Sequence, residues 1–84
     1  MNLDEIEVEI MNIQLNTHYA ERSHLEKKLN LYRNIKNQIY NTYEVLEGLE
    51  LETYNNIQKL CLDLEHRLRS VLICIKDCTH ELYK

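Results

Sequence analysis

The chain contains no proline, no tryptophan and no phenylalanine, and Gly48 is its only glycine. Sheet proteins turn often and recruit proline and glycine to do it, so the shortage of both argues against a many-stranded fold and for a few long helices. Long apolar runs are missing as well. Nothing approaches the roughly 20 consecutive apolar residues that a helix needs to cross a bilayer. The first residues are acidic (Asp4, Glu5, Glu7, Glu9) and lack the positively charged region that opens a signal peptide. Acids outnumber bases: the net charge is −4, which gives duplex nucleic acid and membrane surfaces little to hold.

Chemistry-bearing motifs are equally short. There is no C-x-x-C knuckle, no H-E-x-x-H pair and no glycine-rich phosphate loop. Cys74 and Cys78 share a helix face, but His80 lies about 200° round the helix from Cys78, and structural zinc normally takes four ligands. A thiol nucleophile would need an oriented base and a pocket. No catalytic residue, cofactor or metal is expected, and the chain reads as a non-enzyme. Its three cysteines are an odd number. Cys61 and Cys78 fall on an apolar stripe and Cys74 beside it, which suits free thiols in a reducing compartment, the cytoplasm by default.

What is present is a heptad row without a slip. Tyr54, Ile57, Cys61, Leu64, Leu68, Val71, Ile75, Cys78 and Leu82 are spaced alternately by three and four residues. A helix with one apolar stripe of this length has to bury it against another helix. Residues 25–46 supply a second periodic stretch through Leu25, Leu29, Tyr32, Ile35, Ile39, Tyr43 and Leu46. Earlier still, Leu3, Ile6, Ile10, Ile13, Thr17 and Ala20 repeat at helical spacing, and Asp4 and Glu5 suit a helix N-terminus. Ile6, Val8 and Ile10 also alternate with glutamates at strand period, but no second strand is in sight to pair with them.

The pattern weakens over residues 16–24, where the stripe slips before resuming at Leu25. Ser23 with Glu26 would form a capping box for a new helix there. Gly48 can take the left-handed conformation that ends a helix, and Thr53 can cap the next. The expected fold is therefore all-α. It is one domain over residues 1–84, a long antiparallel coiled-coil-like hairpin with a helix over about 3–47, a turn at about 48–52 and a helix over about 53–83; a break near residues 16–24 would make three helices.

So small a hairpin has a thin core, because each helix has one neighbour and conformational entropy nearly cancels the burial. More apolar residues flank the seams than two helices can cover. The partner-interface candidates are Ile10, Ile13, Leu60, Leu64, Leu68, Val71, Leu72, Ile73 and Ile75. Charge is banded: residues 1–21 carry acids with no Lys or Arg, residues 22–36 carry Arg22, Lys27, Lys28, Arg33 and Lys36 against Glu26 alone, and Glu44, Glu47, Glu50 and Glu52 form a second acidic band, with the remainder nearly balanced. Such bands can set the direction in which helices pair. The expected partner is another helical protein, a second copy of the chain, or both, with no nucleic acid, no membrane insertion and no small-molecule substrate. The function these features favour is an interaction subunit, above all a small acidic chaperone or co-chaperone for an amphipathic helix, by analogy of size, charge and helicity with those of bacterial secretion systems. A structural subunit of a larger assembly and a small helical nucleic-acid-binding regulator are the alternatives; the second would rest on the basic stripe with Tyr32 and Tyr40.

Overall fold

The computed structural model describes residues 4–83 and shows two helices, α1 (Glu5–Thr42) and α2 (Gly48–Leu82), packed as one extended hairpin. No strand occurs among the described residues. Leu3, expected on the first stripe and at the start of the first helix, lies outside them. The hairpin measures 61 × 15 × 14 Å, with a radius of gyration of 18.7 Å. A compact domain of this length would have about 12 Å.

Helix α1 starts where the acidic opening predicts. Asp4 is its N-cap, in extended conformation, and its Oδ1 accepts a hydrogen bond of 2.8 Å from the Glu7 backbone N–H. Glu5 and Glu7 occupy the first turn, where free N–H groups favour negative charge. The helix then runs unbroken to Thr42. The break considered at residues 16–24 does not occur, and Ser23 and Glu26 sit in the helix interior. The apparent slip has a different origin. In α1 the residues turned away from solvent are Val8, Met11, Leu15, His18, Arg22, Leu25, Leu29, Tyr32, Lys36 and Ile39, joined by Ile35. Leaving Ile35 aside, these ten form a heptad row of their own, spaced by three and four from end to end. Two of its middle places hold His18 and Arg22, so the row is hidden in an apolar reading. The more obvious Ile6–Ile10–Ile13 stripe faces the other way.

The row on α2 is the expected one. Ile57, Cys61, Leu64, Val71 and Ile75 are buried, and Tyr54, Leu68, Cys78 and Leu82 are half-buried; none of the nine is exposed. Together with Leu15, Leu25 and Leu29 of α1, the five buried residues make the core. Arg33 and Glu65, 2.9 Å apart, and the rings of Tyr40 and Tyr54, 6.5 Å apart, mark the antiparallel register.

The reversal lies at residues 43–47, upstream of the expected 48–52. Asn41, Thr42, Tyr43 and Val45 are weak helix formers in close succession, whereas Leu49, Glu50, Leu51 and Glu52 are not turn-forming residues and enter α2. Tyr43 is extended and donates its N–H to the Ile39 carbonyl. Gly48 is indeed left-handed, with φ of 55°, but it opens α2 instead of closing α1. Glu47 is the N-cap and makes no side-chain capping bond; Thr53, the expected cap, lies inside the helix.

Two stability predictions follow from this geometry. Leu29 is 3% exposed and Ile73 59%. Leu29→Ala should destabilise the hairpin by about 2–5 kcal/mol, and Ile73→Ala by no more than about 0.5 kcal/mol. Urea unfolding followed by helical circular dichroism reads both. Open space surrounds the Gly48 Cα, so Gly48→Ala meets no clash. Its left-handed backbone alone should still lower stability by about 1–2 kcal/mol, with Gly48→Asn costing less; an unchanged urea midpoint for the alanine variant would mean that the turn is not held in this conformation.

Candidate interaction surface

Because α1 and α2 each have a single neighbour, everything off the seam faces water. The chain exposes 6700 Å², against about 5,300 Å² for a compact monomer of its mass. No large side chain among the described residues is completely enclosed. The depressions in the surface are open, such as the one at the hairpin end lined by Ile39, Tyr43, Leu49, Glu50 and Thr53.

The nine partner-interface candidates divide into two groups. Leu64, Val71 and Ile75 are buried in the intramolecular seam, and Leu68 is half-buried against it. These four pack in the seam that joins α2 to α1. Ile10, Ile13, Leu60, Leu72 and Ile73 are exposed. Leu60 and Leu72 border the seam, one on each side. Ile10 and Ile13 occupy the back of α1 with Ile6; Ile13 sits two residues, or about 200°, from buried Leu15.

The structure adds a row that sequence reading missed. Leu51, Leu62 and Ile73 are exposed and separated by eleven residues, close to three full turns, so they line up along the outer side of α2. A search for repeats of eleven alongside seven would have found it. Each helix thus carries an apolar strip on the face turned away from its neighbour.

Charged and polar groups do little to close these strips. Arg22–Glu26 (3.8 Å) and Arg67–Asp63 (3.3 Å) run along single helices, and Arg33–Glu65 crosses between them. The Arg22 guanidinium also stacks 5.2 Å above the Tyr19 ring. Cys61 is buried, Cys78 half-buried and Cys74 exposed, and all three are free thiols. Among the described residues, no group of three or more His, Cys, Asp or Glu side chains is placed to hold a metal ion, and no helix is long and apolar enough to cross a membrane. Comparison with protein-family models, with curated proteins and with solved structures gave no match.

One polar group in the seam carries a cost of its own. Nδ1 of His18 is buried without a hydrogen-bond partner. Since an unsatisfied buried polar atom costs about 1–3 kcal/mol, His18→Leu should raise the urea midpoint by an equivalent amount. An unchanged or lower midpoint would show that this nitrogen is hydrated in solution.

Proposed function

We propose that the protein is a non-enzymatic interaction subunit, a small acidic helical hairpin that acts as a chaperone or co-chaperone. It covers an amphipathic helix of a client or partner subunit in the cytoplasm. The observation that carries this reading is the unpaired apolar strip on each helix after the hairpin seam has closed. Leu62 and Ile73, on the outer side of α2, are 52% and 59% exposed. Apolar side chains lined up on one helix face are what a second amphipathic helix packs against, reading positions three, four, seven and eleven residues apart. Of the basic stripe, Arg22 and Lys36 turn toward the seam and Arg33 pairs with Glu65, so the argument for nucleic acid is weaker.

A structural role in a larger assembly is the second reading, favoured by the 61 Å rod shape, which suits a spacer or a strut. The two differ in lifetime: a chaperone releases its client, and a strut does not.

The test is affinity purification of the full chain from its native cell, with masses of the complexes read by light scattering. The expected result is a stoichiometric helical partner that is lost from Leu62→Asp/Ile73→Asp, while the helical circular dichroism of that variant stays unchanged. Recovery of the chain alone from the native cell, or partner capture indifferent to these substitutions, would overturn the proposal.

A further inference from the structure

The back of α1 has a feature that the hairpin does not use. Ile6, Ile10, Ile13, Thr17, Ala20 and Leu31 all lie on one heptad row and are all exposed; His24 and Lys27 complete it. Along this face Glu7, Glu9 and Glu21 precede Lys27 and Lys28. Glu7 and Glu9 border the N-terminal half of the row, and Lys27 and Lys28 lie on and beside its C-terminal half, all four exposed. Of the other cations in the basic band, Arg22 and Lys36 turn toward the seam and Arg33 is paired with Glu65.

We propose that a second copy of this chain occupies the back of α1, with the two α1 helices antiparallel about a two-fold axis between Thr17 and Ala20. This proposal rests on the interaction reading above and names the occupant of one strip, leaving the outer side of α2 for the client. Sequence order alone determines the match. In that register Ile6 of one copy meets Leu31 of the other, Ile10 meets the Lys27 stem, and Thr17 meets Ala20, two small residues that let the backbones approach at the axis. Glu7 and Glu9 of each copy then fall beside Lys28 and Lys27 of the other. A parallel pairing would set acid on acid and base on base, which opposes association. A helix whose two halves carry opposite charge is complementary to itself only when reversed, and a two-fold axis supplies that reversal twice over.

Zero-length carboxyl–amine cross-linking of the full chain, mapped by mass spectrometry, tests the register. Glu7 and Glu9 are 18 to 21 residues from Lys27 and Lys28, so on one helix they stand roughly 27–32 Å apart. A link between these groups can form only between two copies. The expected result is a dimer by sedimentation at about 100 μM, with Glu7 or Glu9 linked to Lys27 or Lys28. Ile10→Glu/Ile13→Glu should give a monomer of unchanged helicity, because both residues are exposed in the hairpin. Lys27→Glu/Lys28→Glu should weaken the dimer about tenfold or more, and adding Glu7→Lys/Glu9→Lys should restore it. A monomer at 100 μM overturns the proposal, even if the affinity purification above recovers a client. A dimer that survives Ile10→Glu/Ile13→Glu and lacks these links overturns it too, while leaving the broader interaction reading standing.

Discussion

Everything in this molecule depends on one line of contact: two heptad rows, ten residues on α1 and nine on α2, packed against each other along the length of the hairpin. A two-helix fold has no second layer. Each helix can be kept dry on one side only, and whatever lies off that side is wet. The consequences are visible in the dimensions, a rod of 61 × 15 × 14 Å, and in a core of eight buried side chains. A domain with so few buried residues is held by a small difference between burial and chain entropy. Association is the route by which such a fold gains further burial without adding chain.

The seam is not uniformly apolar, and its polar places are informative. Toward the hairpin turn, contacts with directional geometry accompany the packing: Arg33 reaches Glu65 and Tyr40 meets Tyr54. The ion pair is partly exposed, at 48% and 31% for its two side chains, and such pairs contribute about 0–1 kcal/mol. Its effect is on register more than on stability, since a shift by one heptad would separate the partners. Toward the open end the seam carries His18 and Arg22 in places where Leu would pack better.

The helical class, the hairpin and the whole α2 row were legible in the sequence because nine consecutive heptad places there are filled by apolar or aromatic residues. The α1 row was half legible. Leu25, Leu29 and Tyr32 announce it, but stepping back by three and four from Leu25 lands on Arg22 and His18, and periodicity judged by hydropathy stops at the first polar residue. The stronger apolar signal, Ile6–Ile10–Ile13, belongs to the outer face, so the same evidence that suggested a slip was two rows superimposed. The turn was misplaced for a related reason. Gly48 is the only residue in the chain with a marked preference for a left-handed backbone, and it does adopt one, but the preference does not say whether the residue ends one helix or begins the next. Of the nine interface candidates, the sequence could not separate those on the seam from those beside it, because Val71 and Leu72, or Leu60 and Cys61, are neighbours in the chain and differ only in which way they turn.

The distribution of charge is the remaining fact that the hairpin does not explain. If banding served the fold, α2 would carry the opposite bands opposite α1. It does not: the stretch of α2 that runs back beside the acidic start of α1 sets Lys76 against Asp77 and Glu81. Nor does solubility require it, since mixed charges solvate a helix as well as sorted ones. Sorting charge by position along a helix has an effect only on something that lies along that helix, and it acts by direction, favouring one orientation over its reverse. On α1 the inner face is already taken by α2, whose cations and acids are interleaved from Lys59 onward. The face left to respond is the outer one, where the apolar row and the sorted charges coincide.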